Sequence, residues 1–209
     1  MSQISLVGAG PGPLELLTLR ALHRIEAAEV VVYDRLVGGE ILARIPQGAA
    51  RFDVGKRCGE PSPTQEEINA LLLALARTGK RVVRLKGGDP LVFGRGGEEA
   101  LHLARHGIEA ELVPGITAAL GCAASTLIPL THRGLARSLT LVTGHLMDEG
   151  DYRGWQGLTR AGHTLVFYMG LERAAQIRQG LLAAGASGDL PVALVVAGCS
   201  ARQQVHHAR

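Results

Sequence analysis

Short β-branched runs alternate with segments of helical period along the first half of the chain, and this alternation constrains the fold more than any other feature. The runs are ISLV (4–7), VVVY (30–33), RFDV (51–54), RVVRL (81–85) and EAELV (109–113). Helical patterns lie between them: Leu14, Leu17, Ala21, Leu22 and Ile25 form one face, and Thr64 to Glu67 is a T-x-x-E capping box opening a helix that runs to Arg77. Such alternation makes a parallel sheet covered on both sides. The tripeptide VPG (113–115) punctuates the pattern. Beyond it follow a helix from Thr117, strands SLTLVT (138–143) and TLVFYM (164–169), a helix to Ala184 and strand PVALVV (191–196). The expected architecture is α/β, with one α/β lobe over residues 1–114, a second over 115–209 and a hinge near 114. The stretch 147–159, with MDEGDYRGWQG, follows neither period and reads as an exposed loop.

Composition removes several classes of function. A chain of 209 residues that is 46% hydrophobic can bury a sizeable core. Its apolar runs are far shorter than the ~20 residues of a membrane span. Met1 leads into SLVGAG without a basic segment and a long apolar stretch, so no signal peptide is expected and the cytoplasm is the expected compartment. Cys58, Cys122 and Cys199 are odd in number and lack CxxC spacing, which argues for reduced thiols and against a disulfide framework or a zinc site. A formal charge of +3 with only 3% aromatic residues gives little with which to stack bases. A small polyanionic ligand suits that balance better than nucleic acid does.

Glycine makes up 28 of the 209 residues, about twice the usual ~7%, and clusters at strand ends. In LVGAGPG (6–12), directly after the first strand, the spacing resembles the dinucleotide fingerprint GxGxxG, but Pro13 stands where the third glycine belongs. Asp34, closing VVVYD, sits about where a ribose-binding acid would, so a nicotinamide-dependent oxidoreductase is a rival reading. A second loop, Gly87-Gly88-Asp89-Pro90, lies inside RLKGGDPLVFGRGGEEA (84–100) and follows another strand. Loops at the carboxyl ends of parallel strands share one crevice, and bare backbone there faces a ligand. His102 and His106 have a metal-binding spacing on a predicted helix, but a solvated helix face accounts for them better. Arg20, Arg24 and Arg178 read as surface, and His206 and His207 as a tail.

Across residues 4–196 the blocks LVGAGPG, LLTLRAL, YDRLV, VGKRCG, QEEINALL, VVRLKGGDPLVFGRGGEEA, VPGITAA, IPLTHRGLARS and VTGH occur in that order, and they resemble those of the tetrapyrrole methylases. The resemblance implies an active site in the cleft between the lobes. It implies transfer of methyl groups from S-adenosylmethionine to carbons 2 and 7 of uroporphyrinogen III, giving precorrin-2 for sirohaem or corrin synthesis. It further implies a homodimer and no metal, since a sulfonium methyl is already electrophilic and the enzyme mainly has to align it.

By the same resemblance Glu98 is the general base, in competition with a simpler role as a helix-start acid. Arg95 and Asp34 join it as catalytic residues, Asp34 accepting from pyrrole N–H groups. Arg35, Arg133 and His132 would bind substrate carboxylates, where the planar fork of arginine is favoured. Pro11, Gly87, Gly88, Asp89, Phe93, Thr117, Ala118, Met169 and Gly198 would contact the methyl donor, many through backbone. The sequence departs from the family pattern at Pro13, at Ser125 and along 195–204, and the family's further helix and closing strand are not found before Arg209. A methylase acting elsewhere on the ring and a non-catalytic truncated relative are the alternatives.

Overall fold

The computed structural model describes residues 3–55, 62–144 and 155–209, and the chain divides into two compact units, 1–121 and 122–209. Cys58, most of the VGKRCG block and residues 147–154 of the irregular stretch lie outside the described residues.

In the first unit, β1 (Ile4–Gly8), β2 (Val30–Tyr33), β3 (Ala50–Asp53), β4 (Val82–Lys86) and β5 (Glu111–Val113) form one sheet in the order β3-β2-β4-β1-β5. Every pairing in it is parallel. Helices α1 (Leu19–Glu26), α2 (Gly39–Leu42), α3 (Gln65–Ala76) and α4 (Gly96–Arg105) supply the crossovers. Successive strand residues point to opposite faces, so the apolar runs feed two cores. Val7, Val31, Val83 and Leu85 pack with Ile25 of α1 and Ile41 of α2. Ile4, Val30, Val32 and Val82 pack on the other side with Leu72 of α3 and Leu103 of α4.

The capping box forms as its sequence requires: Glu67 N donates to Thr64 Oγ1 at 3.2 Å and Thr64 N to Glu67 Oε2 at 2.7 Å. The helix expected from Leu14 does not run unbroken. A 3-10 turn at Leu14–Leu16 ends in extended Leu17, and Thr18 accepts from Ala21 N at 3.1 Å to start α1 afresh. A hydroxyl at that position competes with the preceding helical turn and wins as a cap. Leu14 and Leu17 still pack on the core. Arg24, expected at the surface, donates from Nε and Nη2 to Glu111 at 2.6 and 2.9 Å and so ties α1 to β5. That guanidinium holds the Glu111 carboxyl below the usual carboxylate range.

The boundary between the units falls inside α5 (Ala118–Thr126). The second unit contains a parallel pair, β6 (Ser138–Thr143) with β7 (His163–Tyr168), helix α6 (Ala174–Ala183), and an antiparallel pair, β8 (Val192–Val196) with β9 (Gln204–Ala208). His206 and His207 are therefore not a tail. They lie in β9 opposite Leu194 and Ala193, in a strand whose own pattern gives no apolar alternation. Among the described residues no helix is long and apolar enough to cross a membrane.

Leu72 is fully buried and Leu101 of α4 is exposed. Leu72→Ala is expected to lower the unfolding free energy by about 2–5 kcal/mol, and Leu101→Ala to change it by less than about 0.5 kcal/mol, both read by denaturant melts.

Candidate active site

The loops after β1, β4 and β5 meet where glycine alone fits. A Cβ on Gly8 would lie 2.5 Å from Gly115 N and 2.7 Å from Gly88 O, and one on Gly115 would strike Gly88 O and Gly8. Gly10 and Gly88, at φ 69° and 68°, bridge backbone to backbone, with N···O distances of 3.1 and 2.7 Å. Asp89 locks the arrangement: Oδ1 accepts from Leu91 N at 2.8 Å and Oδ2 from Gly115 N at 3.0 Å. The far side of Gly88 is open. A Cβ there would find nothing nearer than Ala118 N and Thr117 Cα, both at 3.9 Å. This is bare backbone facing space bordered by the start of α5, a cradle suited to a ligand that binds through main-chain atoms. Just beyond, Phe93 and Arg95 adopt left-handed φ of 52° and 58° around Gly94, whose own Cβ would meet the carbonyls of Asp89 and Pro90. Side-chain-bearing residues held in that region mark a loop kept under strain by its surroundings.

Beside the glycines lies a cluster of four charges. Alternation along β4 puts Arg84 and Lys86 on the face of Val82, toward α3 and α4, and Asp34 continues the same face of the neighbouring β2 after Val30 and Val32. Arg84 Nη2 donates to Asp34 Oδ1 at 2.8 Å and Nε to Glu99 Oε1 at 3.2 Å. Lys86 Nζ donates to the same Glu99 oxygen at 2.9 Å and stands 3.9 Å from Asp34 Oδ2. Side-chain exposure is 2% for Arg84, 4% for Lys86 and 0% for Glu99, but 27% for Asp34. Two cations and two anions balance, with Asp34 as the member that faces outward. Burial, and then the charge of Arg84, push the Lys86 ammonium below the ordinary lysine value, against the pull of Glu99 and Asp34.

Arg84, Lys86 and Glu99 were not among the residues expected to matter. A signal for them exists: two basic residues at i and i+2 in an otherwise apolar central strand must be paired if the strand is buried. Of the two acids in RGGEE, Glu99 is the desolvated one. Glu98, expected as a base in a partly desolvated site, is half exposed and takes both Arg95 Nε and Nη2, at 2.9 and 2.7 Å. That hydrogen bonding holds its carboxyl below the usual range, away from what a base working near neutral pH needs.

The structure brings together Gly87, Gly88, Asp89, Thr117 and Ala118, with Pro11 following Gly10, at the carboxyl edge of the first sheet. Arg35 is exposed, its backbone packed on Gly55. Arg133 and His132 are exposed in a turn of the second unit, where His132 pairs with Ala136. Met169, at φ 56°, closes β7 and is exposed, whereas Gly198 packs so closely on Cys122 that an added Cβ would collide with Sγ. His102 and His106 stack with centroids 4.8 Å apart, and among the described residues no group of three or more candidate metal ligands exists.

The family model of Tetrapyrrole (Corrin/Porphyrin) Methylases matches residues 3–209. The chain belongs to the tetrapyrrole methylases. Among family members of known structure, uroporphyrin III C-methyl transferase from Thermus thermophilus superposes with TM-score 0.84 at 45% identity, over 99% of this chain and 87% of that one. The same Thermus protein complexed with S-adenyl homocysteine gives the same values. Siroheme synthase of Salmonella paratyphi B is 54% identical over 205 residues, 98% of this chain and 45% of the relative, so this methylase spans about half the length of the curated relatives it matches.

Two outcomes follow from the glycine packing. Gly8→Ala is expected to destabilise the protein by about 1–3 kcal/mol, while Gly39→Ala, with open space at its Cβ, leaves the melting curve nearly unchanged. Burial, with the neighbouring Cys199 adding to it, pushes the Cys122 thiol up to about 11. Iodoacetamide labelling of the Cys122 peptide, followed by mass spectrometry, is therefore expected to keep rising beyond about pH 10, where an ordinary thiol, with a pKa of about 8.5, has nearly levelled off.

Proposed function

We propose that the chain methylates carbons 2 and 7 of uroporphyrinogen III with S-adenosylmethionine as donor, yielding precorrin-2 for sirohaem or corrin synthesis. The family match and the Thermus relatives support this, one of them named as a complex with the demethylated donor's homocysteine form. The observation that carries it is Asp34: a half-buried carboxylate with Oδ1 fixed by Arg84 and Oδ2 accepting no hydrogen bond from the described residues, next to the glycine cradle.

Bound at that cradle, the donor supplies an electrophilic methyl on sulfur. Gly87, Gly88, Thr117 and Ala118 hold it chiefly through backbone, and Asp89 keeps their loops in register. Attack by a ring carbon places positive charge on the pyrrole nitrogen, and Asp34 stabilises that charge by accepting the N–H, then takes the proton as the ring neutralises. Arg84 fixes the carboxylate so that its open oxygen faces outward. Arg95, Arg35 and Arg133 with His132 serve the substrate's peripheral carboxylates, and Glu98 orients Arg95. Phe93, Met169 and Gly198 complete the donor contacts in this reading. It is a reading of a cytoplasmic homodimer that acts without a metal, nucleic acid or membrane.

Incubation with enzymatically generated uroporphyrinogen III and S-adenosylmethionine is expected to give a product heavier by two methyl groups. Asp34→Asn is expected to lower kcat by about 10²–10⁴-fold, and Glu98→Gln by much less. A wild-type protein that returns the macrocycle unchanged defeats the assignment, and a Glu98→Gln variant as damaged as Asp34→Asn returns the proton acceptor to Glu98.

A further inference from the structure

Resting on that functional reading, we propose that Glu99 is a positioning residue whose buried carboxylate draws the Lys86 ammonium away from Asp34 and so keeps Asp34 Oδ2 open for an N–H group of the macrocycle.

The geometry is one of competition. Lys86 extends from the end of β4 between two carboxylates, Glu99 behind it and Asp34 in front. It stands at hydrogen-bond distance from the first, 2.9 Å, and outside it from the second, 3.9 Å. The same Glu99 oxygen also receives Arg84 Nε at 3.2 Å and Gln65 Nε2 of α3 at 3.4 Å, so three donors converge on Oε1. Oε2 has no partner among the described residues although it is buried. A carboxylate held in that state, with one oxygen crowded and the other bare, is there for its charge as much as for its hydrogen bonds, because a neutral acceptor would hold these donors without stranding an anion's second oxygen.

Remove the charge and, among the described residues, Asp34 becomes the one anion facing the two cations. Lys86 would then close the short gap to Oδ2. With Oδ1 already taken by Arg84, Asp34 would have no outward-facing acceptor left for a ring nitrogen. Glu99 touches neither ligand in this account. It acts through Lys86, and its effect vanishes when Lys86 is absent.

That dependence is the test. Glu99→Gln is expected to lower kcat for methylation by about ten- to a hundredfold, the worth of a charge-assisted hydrogen bond closing Oδ2, while calorimetric affinity for S-adenosylhomocysteine stays within about twofold of wild type. In a Lys86→Met background the added Glu99→Gln change is expected to leave kcat nearly as it was. A further loss there as large as in wild type overturns the proposal, since Glu99 would then be acting without Lys86. If Glu99→Gln alone does not fold, the comparison of Lys86→Met with the double variant decides: nearly equal kcat is expected, and a loss of about tenfold or more between them overturns the proposal. A crystal structure of Glu99→Gln reads the inference without turnover: Lys86 Nζ is expected within hydrogen-bond distance of Asp34 Oδ2, and an unmoved Nζ overturns it. A wild-type protein inactive on uroporphyrinogen III sinks the functional reading and leaves this displacement still to be seen or refuted.

Discussion

Three backbones meet at Gly8, Gly88 and Gly115, with no space for a side chain at Gly8 or Gly115 and a left-handed turn at Gly88, and the rest of the first unit is arranged around that meeting. Parallel pairing of β1 with β4 and β5 brings the three loops to one edge, but pairing alone would leave them fanned apart. Main-chain contact at the glycines, reinforced by Asp89 bridging the second loop to the third, draws them into a single surface. That surface can only be made of backbone. The chain thus builds this edge of the sheet from the element every residue shares, and side-chain chemistry is left to the neighbouring charges.

Those charges are expensive to keep indoors. Taking one partner from a buried ion pair typically costs about 3–5 kcal/mol, because the other is left uncompensated. Arg84, Lys86 and Glu99 therefore stand or fall together, and Asp34 is their outlet to the exterior. A sheet filled only with valine and leucine at these positions would be simpler to fold. The retention of four ionised groups where the strand ends is intelligible as the means of presenting one carboxylate at a fixed angle.

Much of the architecture was legible beforehand. β2 and β6 occupy the residues their β-branched runs mark, and the Thr64 cap opens α3 because the T-x-x-E spacing satisfies two donors at once. The strand β9 was not legible, since QVHHA carries no alternation and is held by pairing with β8 that only the folded chain reveals. The break before α1 lay hidden in Thr18, whose hydroxyl reads as a helix residue until its cap is seen. At the site, the glycine loops were visible as such. Which of Glu98 and Glu99 is buried was not, because adjacent acids at a helix start differ only in which side of the helix meets the sheet, and α4 turns Glu99 inward.

Gly198 and Cys122 share a volume that holds one sulfur and one hydrogen atom where another chain could hold two methyl groups. Positions 122 and 198 cannot vary independently: enlarging the turn between β8 and β9 calls for a smaller residue on α5, and the reverse. Anyone transplanting that turn from a relative with alanine there must carry the helix position with it.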